Sequence, residues 1–372
     1  MKKSGDKIGK NLVKVREALK KIHEYVPGEN VTKVKKLLGL KKVIKLASNE
    51  NPYGPSPKVL EVLRSFKDLN IYPEPDPLDL REKIAEYTNS KAENVVIGAG
   101  IDGILDNIFK MMVDPGDSVL IPIPTFPYYH TLSTIYNAKQ IFVKRNSNFE
   151  IITEDIFNSL DNKTKIIFIC SPNNPTGNSE NISKVTEVVE ECKNSLIFID
   201  EAYAEFSKRK LLDLTSYENV VIARTFSKAF GLANLRIGYA ILSKKLRKEY
   251  LKVNPPFSVS SLAKIAAIKA LEDLDYLKWV VKQNTKERAK LIKKLKELKF
   301  FKVYNSDANF VFIKAKIEGQ KIVQMLLRRG IIIRDCSKFL GCSRYDIRIS
   351  VGREDENNIL LHHLRGIIEN LE

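Results

Sequence analysis

The sequence predicts an α/β protein with a large domain, in which a mainly parallel seven-stranded sheet lies between helices, and a smaller α+β domain. Two observations predict this fold. Between about residues 75 and 250, short apolar runs alternate with helical patterns, as strands and helices do in βαβ units. After Pro255-Pro256 the order changes to helices followed by strands. A chain of 372 residues is long enough for both domains.

Seven apolar runs in the first region are predicted strands, at 95–98, 118–121, 141–143, 165–170, 195–199, 219–223 and 237–242. Helical patterns separate several of them, at 78–88, 102–112 and 180–193. The runs are continuously apolar, which is typical of strands that are covered on both faces.

The second region begins near residues 254–257. It has predicted helices at 258–271, 276–298, 319–329 and the end of the chain, and predicted strands at 301–304, 309–313, 331–334 and 345–350. Residues 46–255 are therefore the expected large domain and residues 256–372 the small one. Ahead of them, residues 1–45 form an N-terminal arm with a predicted helix at 8–25, and residues 45–57 form a Pro- and Gly-rich loop.

The net charge of +17 makes nucleic-acid binding the first partner class to consider. The lysines are scattered along helices, as in 282–299, and no basic motif interleaved with aromatic residues gathers them, so we expect no nucleic-acid role. Residues 1–10 have no apolar signal segment. The longest apolar runs, such as 166–170, are far shorter than the roughly 20 residues that cross a bilayer, so we expect a cytoplasmic protein that does not enter a membrane.

The four cysteines form no C-x-x-C pair, and the four histidines have no metal-site or catalytic-triad spacing. We expect free thiols and no metal.

Lys228 lies just after the apolar run 219–223, where an open α/β sheet places its ligands. It is either a solvated surface charge or a lysine that forms a Schiff base with a carbonyl cofactor. Arg236 adds a permanent cation suited to a phosphate, and Thr225 and Ser227 add hydroxyl groups. Together these residues point to pyridoxal 5′-phosphate (PLP).

The run from Ser227 to Tyr239, Ser-Lys-Ala-Phe-Gly-Leu-Ala-x-x-Arg-x-Gly-Tyr, closely resembles the PLP-lysine motif of the aspartate aminotransferase superfamily (fold type I). It looks most like the class-II-like, histidinol-phosphate aminotransferase branch. The resemblance extends from about residue 22 to the end. It implies a fold type I aminotransferase, a homodimer with shared active sites, and an N-terminal segment that joins the small domain.

Asp200 follows the apolar strand 195–199. An ionised acid there would keep the pyridine nitrogen of PLP protonated, although position alone also fits a helix N-cap. Its Asp-Glu-Ala-Tyr-x-Glu-Phe setting resembles the family motif, which favours the PLP contact. The resemblance also assigns Tyr203 and Asn174 to the phenolic oxygen of PLP, although Asn174 in Asn-Pro-Thr-Gly reads equally as a turn.

A glycine-rich turn, Gly98 to Gly103, ends one predicted strand and opens a helix, so free N–H groups there suit a phosphate. Gly100, Ile101 and Asp102 are the expected contacts, although such a turn also serves packing alone. The family usually has Ser or Thr at the position of Ile101. Phe126 is either a core residue or, by resemblance, the aromatic ring stacked on the pyridine.

The remaining assignments come from the resemblance. Tyr53 matches a tyrosine that reaches the phosphate of the cofactor in the partner subunit. Asn49 and Tyr25 match substrate contacts. Arg334 and Arg348 lie in apolar strand-like runs, where a guanidinium needs a protein carboxylate or a ligand anion. The family favours a substrate acid group for Arg348 and a substrate phosphate for Arg334.

The expected activity is transamination between histidinol phosphate and imidazole acetol phosphate, with glutamate and 2-oxoglutarate as the second pair, in histidine biosynthesis. Three alternatives remain open at this point: an aromatic or broad-specificity aminotransferase, a threonine-phosphate decarboxylase, and a PLP-sensing DNA-binding regulator. The residues ahead of the Asn49 loop are too few for the additional DNA-binding domain of such a regulator.

Overall fold

The computed structural model describes residues 15–22, 29–40 and 42–371. Twelve α-helices lie in this part of the chain: α1 (Val31–Leu38), α2 (Pro57–Ser65), α3 (Leu78–Thr88), α4 (Gly100–Met112), α5 (Pro127–Ile135), α6 (Thr153–Ser159), α7 (Ile182–Glu191), α8 (Lys244–Val253), α9 (Ser261–Leu271), α10 (Leu274–Glu297), α11 (Gly319–Leu327) and α12 (Glu354–Glu369).

The strands follow the predicted runs closely. They are β1 (Ile44–Lys45), β2 (Val95–Gly98), β3 (Ser118–Ile123), β4 (Lys139–Lys144), β5 (Thr164–Cys170), β6 (Leu196–Asp200), β7 (Val220–Thr225), β8 (Gly238–Leu242), β9 (Phe301–Val303), β10 (Phe310–Ala315), β11 (Ile331–Ile332), β12 (Arg334–Asp335) and β13 (Asp346–Ser350).

The large sheet has seven strands in the order β2-β8-β7-β6-β5-β3-β4. Its pairs are parallel except that β8 runs antiparallel to both β2 and β7. The predicted α/β fold with a mainly parallel seven-stranded sheet is therefore confirmed.

Alternate residues of each central strand enter cores on opposite faces of this sheet. On β5, Ile166 and Phe168 pack with α4, while Ile167 and Ile169 pack with α7. Burial of both faces explains why these strands are continuously apolar in the sequence.

The second unit contains an antiparallel sheet in the order β12-β13-β10-β9, and a separate parallel pair joins β1 to β11. The pairing of β1 with β11 attaches the N-terminal part of the chain to the C-terminal sheet region. On the basis of this pairing we propose that the chain divides into an arm (1–45), a large domain (46–255) and a small domain (256–372). Against a strict boundary at 255, α9 packs with α2 and α3 in one core.

Two local predictions differ from the structure. The described part of the predicted helix 8–25 contains only a five-residue 3-10 helix, Glu17–Lys21. The apolar run 331–334 is divided at Ile333 between two sheets, because β11 pairs with β1 while β12 pairs with β13. The periodicity and the apolar character of a sequence run do not specify which other strand it will pair with.

Six of the seven strands of the large sheet, all except β8, run in the same direction, so their carboxyl ends lie along one edge. These ends are, in chain order, Gly98, Ile123, Lys144, Cys170, Asp200 and Thr225. Open α/β sheets bind ligands at this edge. No helix in the described ranges is long and apolar enough to span a bilayer.

Candidate active site

A cavity of about 240 Å³ opens at this edge, between the large sheet and the C-terminal unit. Most of the side chains predicted from the sequence line it: Asn49, Ile101, Asp102, Phe126, Asn174, Asp200, Tyr203, Thr225, Ser227, Lys228, Arg236, Arg334 and Arg348. These residues are up to 299 positions apart in the chain, and the fold brings them to one place.

Lys228 extends its amine into the cavity, where Nζ donates to the backbone oxygen of Ser48 at 3.3 Å. The amine lies 5.7 Å from the centre of the Tyr203 ring. Burial, and then the positive charge of Arg348, lowers the pKa of Lys228 to about 8. An amine that loses its proton near neutral pH is suited to attack a carbonyl group, whereas a solvated surface lysine is not.

Asp200 ends β6 and is 4% exposed. Its Oδ2 accepts a hydrogen bond from the Tyr129 hydroxyl at 2.5 Å, and its Oδ1 accepts one from the Ala202 N–H at 2.9 Å. Burial raises the pKa of Asp200 to about 6. The short 3-10 helix that follows has Tyr203 at its N-cap, so Asp200 is not the helix cap that position alone allowed.

Behind Asp200, a buried ion pair fixes the strand ends. Arg224, next to Thr225 on β7, donates from Nε and Nη2 to Glu201 Oε2 at 2.8 and 2.7 Å. Glu201 in turn accepts from the Leu211 N–H at 2.9 Å. The pair ties the end of β6 to β7, where Asp200 and the lysine loop begin.

The start of α4 forms a nest of backbone N–H groups beside Arg236, an arrangement that suits an anion. Ala99 at the N-cap makes no side-chain cap hydrogen bond, which leaves the first N–H groups of the helix available. Gly100 has φ 74°, and a Cβ there would lie 2.8 Å from a guanidinium nitrogen of Arg236. Arg236 pairs with Asp102 at 3.1 Å, and Asp102 is itself a half-exposed member of the cavity wall.

Two hydroxyl groups complete the nest. Thr225 Oγ1 lies 3.0 Å from Ser227 Oγ, and Arg236 Nη1 donates to the same Ser227 oxygen at 3.4 Å. Hydroxyls, a guanidinium and helix N–H groups in one place are the donors that a phosphate monoester takes.

Tyr203, Asn49 and Asn174 form the polar wall nearest the C-terminal unit. Asn49 Nδ2 donates to the Tyr203 hydroxyl at 3.0 Å, and Asn49 Oδ1 accepts from the Ser350 hydroxyl at 2.8 Å. The side-chain oxygen of Asn174 accepts from Arg348. Asn49 thus links both units of the fold at the cavity.

Arg348 is 6% exposed, and its Nη2 donates to the backbone oxygen of Ala47 at 2.6 Å. Its guanidinium carbon lies 5.3 Å from the Phe310 ring centre. The Arg334 guanidinium lies 5.5 Å from the ring centre of Phe339, which also lines the cavity. Both arginines therefore rest on aromatic rings at the cavity wall.

The class I and II aminotransferase family model matches residues 41–364. The chain is a class I and II aminotransferase. Within that family it is similar to histidinol-phosphate aminotransferase 1 of Archaeoglobus fulgidus, at 50% identity over 326 residues, covering 88% of this chain and 99% of that protein. It is 40% identical to the histidinol-phosphate aminotransferase of Methanocaldococcus jannaschii, covering 95% of this chain and 98% of that one.

Among solved structures, the fold is similar to a histidinol-phosphate aminotransferase from Sinorhizobium meliloti in complex with PLP. The TM-score is 0.88 at 26% identity, covering 98% of this chain and 100% of that one. The corresponding enzyme of Clostridium acetobutylicum gives a TM-score of 0.83 at 28% identity, covering 88% and 100%. These likenesses place the aminotransferase in the histidinol-phosphate branch of its family.

Not every predicted residue of this aminotransferase faces the cavity. Tyr53 lies outside it, with its ring 5.1 Å from that of Trp279 in an edge-on contact. Tyr25 lies outside the described residues. Gly100 does not line the cavity, and its backbone lies against the Arg236 guanidinium. The role assigned to Tyr53, in the partner's site, stays a prediction.

Tyr129 is the site residue that the sequence reasoning missed. It lies three residues after Phe126 on α5, and the two rings are in edge-on contact at 5.6 Å. Phe126 lines the cavity, whereas Tyr129 is buried behind it and reaches Asp200. The i, i+3 spacing was a usable signal, but its partner acid could not be identified without the fold.

Proposed function

We propose that the cavity binds PLP and that the protein transfers an amino group between histidinol phosphate and 2-oxoglutarate, with imidazole acetol phosphate and glutamate as the products. The observation that carries this proposal is the enclosure of Lys228 and Asp200 in one cavity with a phosphate-type nest. The amine and the acid both have pKa values shifted toward neutrality by burial. Such pairs cluster at functional sites.

The residues of the cavity fit PLP on structural grounds. The buried Asp200 carboxylate is held by two neutral donors, so its charge can pair with a protonated ring nitrogen. The uncapped start of α4 and Arg236 suit the phosphate, and Gly100 leaves room beside that guanidinium. Lys228 suits the aldehyde, and Phe126 offers an aromatic face to the ring.

When bound, PLP supplies an aldehyde that accepts an amino group and a ring that withdraws electrons from the substrate α-carbon. Lys228, once unprotonated, would take the proton from the substrate α-carbon as a general base and give it up again as a general acid. Asp200 would hold the proton on the ring nitrogen. Tyr203 and Asn174 would hold the phenolic oxygen, and Arg236 with the start of α4 would anchor the phosphate.

Arg348 and Arg334 bind the anionic groups of the substrates. Glutamate brings carboxylates and histidinol phosphate brings a phosphate, and a guanidinium pairs with either through two parallel hydrogen bonds. The curated relatives carry the histidinol-phosphate aminotransferase name at up to 50% identity over most of the chain, which supports this substrate pair and the place of the enzyme in histidine biosynthesis.

We propose in addition that two copies of the chain form a homodimer. An exposed apolar cluster supports it: Leu69, Ile71, Tyr72 and Phe257 are 75%, 62%, 78% and 41% exposed, and the Tyr72 and Phe257 rings stack at 4.7 Å. Contiguous exposed apolar surface of this kind marks interaction sites. In a dimer, a tyrosine of one subunit would contact the phosphate bound by its partner. Tyr53 and the more exposed Tyr72 are the two candidates for this contact.

A panel of amino donors tests the substrate assignment. The purified protein, loaded with PLP, is given 2-oxoglutarate with histidinol phosphate, histidinol, phenylalanine or phosphothreonine. We expect kcat/KM for histidinol phosphate to exceed that for histidinol and phenylalanine, because only a phosphorylated donor brings a phosphate for the cations of the site to bind. Equal values for phenylalanine would assign a broad-specificity aminotransferase, and release of CO₂ from phosphothreonine would assign a decarboxylase.

A further inference from the structure

Tyr129 is placed to control Asp200. It is 1% exposed, and its ring stacks on Phe168 with a centroid distance of 4.6 Å and an interplanar angle of 5°. The stacking fixes the ring, and the hydroxyl donates to Asp200 Oδ2 at 2.5 Å. A hydrogen bond from a neutral hydroxyl to a carboxylate is of the short, charge-assisted kind.

The Tyr129 hydroxyl is a neutral donor, and its neutrality determines its effect on the Asp200 carboxylate. An arginine or lysine in the same place would cancel the charge of Asp200 and compete with a cationic ring nitrogen. A phenol stabilises the carboxylate and leaves its charge available. The other oxygen takes the Ala202 N–H, so the carboxylate is held from both sides.

We propose that Tyr129 is a positioning residue that keeps the Asp200 carboxylate ionised and oriented toward the ring nitrogen of the bound cofactor. The proposal rests on the proposed function, because it concerns the same site. Tyr129 itself stays a donor throughout the working pH range, since burial and the neighbouring Asp200 charge raise its pKa well above the ordinary value.

Other titratable groups face Asp200. Cys170 lies directly across from it on β5, and burial raises the pKa of this thiol to about 12, so the thiol stays neutral. The charge of Asp102 raises the pKa of Asp200, and the charge of Lys228 lowers it. Asp200→Asn keeps all of these neighbours, so the difference between the wild-type protein and that variant isolates the titration of Asp200.

The test compares Tyr129→Phe with Tyr250→Phe. Tyr250 is a matched control because it is equally buried, belongs to the same core, and accepts a hydrogen bond from Asn107 Nδ2 at 3.0 Å. The Kd of the apoenzyme for PLP is measured from pH 5 to 8. We expect the acid limb of the Tyr129→Phe profile to move up by about one pH unit, with binding about tenfold weaker below the limb.

The unfolding stability of the apoenzyme gives a second readout. The folded-state pKa of Asp200, about 6, lies above the unfolded value of about 4, so the native state binds an extra proton between them. Stability from this group therefore falls as the pH rises through that window. We expect the contribution of Asp200 to extend to higher pH in Tyr129→Phe and to be absent in Asp200→Asn, whereas the fall due to Glu205, whose pKa burial raises to about 7, remains in both variants.

The outcomes separate this inference from the proposed function. If Asp200→Asn loses PLP affinity while Tyr129→Phe and Tyr250→Phe both superpose on the wild-type profiles, the role of Tyr129 is overturned and the function stands. If Asp200→Asn binds PLP as the wild-type protein does, the proposed function itself is wrong. A Tyr129→Phe profile shifted upward, with Tyr250→Phe unshifted, supports the proposal.

Discussion

Arg334 and Arg348 lie directly opposite each other on the antiparallel strands β12 and β13. Directly opposed residues point to the same face of a sheet, and both side chains line the cavity. Two guanidinium groups on one face of a sheet can bind one anion together or one anion each, since each guanidinium offers parallel N–H donors. We propose that this pair lets one site accept both a phosphate and a carboxylate.

Replacing one member should therefore separate the two substrates. We expect Arg334→Gln to lower kcat/KM for histidinol phosphate by about 10- to 100-fold, from the loss of charge-assisted hydrogen bonds, and to lower that for glutamate less. Arg329→Gln is the control, because Arg329 is exposed and donates to the backbone oxygen of Met325. An equal loss for both substrates would contradict a division of labour.

The buried pair of Arg145 and Glu180 should matter for stability. Their side chains are 1% and 0% exposed, and Arg145 also donates to Asn173 beside the Asn174 turn. Arg145→Met leaves a buried carboxylate without its cation, so we expect the free energy of unfolding to fall by about 3–5 kcal/mol in urea titrations.

The surface pair of Lys278 and Asp275 provides the contrast, with side chains 75% and 94% exposed. Lys278→Met should change the unfolding free energy by less than about 1 kcal/mol. Comparable losses in the two variants would show that burial does not set the difference.

Uptake of PLP by the apoenzyme should depend on pH through Lys228. Only the unprotonated amine attacks an aldehyde, and the pKa of about 8 means that its fraction rises as the pH rises from 7 to 9. The rate at which the visible absorbance of the enzyme-bound cofactor develops should increase roughly tenfold over that range. A rate that is independent of pH would place the amine pKa elsewhere.

The exposed apolar cluster should hold two subunits together. We expect Ile71→Asp to shift the protein toward the monomer in sedimentation experiments and to weaken PLP binding, because a charge replaces apolar contact area. Ile182→Asp, on a 43% exposed residue at the start of α7, should leave the assembly unchanged. A wild-type protein that is monomeric and fully active would refute the shared-site proposal.

Much of the site could be predicted because its residues lie in short motifs directly after apolar runs of the sequence. Asp200 and the lysine loop follow apolar strands, and parallel strands bring such ends to one edge. The bond between Tyr129 and Asp200 could not be predicted, since it joins a helix to a strand 71 residues away and depends on packing. The split of the run at Ile333 was missed for the same reason, because neighbouring strands decide the pairing.

We propose that the Lys228 amine holds the cofactor aldehyde, and the roles of the other site residues depend on this bond. Borohydride reduction of the PLP-loaded protein, followed by peptide mass spectrometry, tests it directly, with Lys244→Ala as a control at an exposed lysine paired with Glu93. We predict a phosphopyridoxyl group on Lys228 in the wild-type and Lys244→Ala proteins, and none in Lys228→Ala, which also loses turnover. A label on another lysine, or none on a protein that still turns over, would contradict the account.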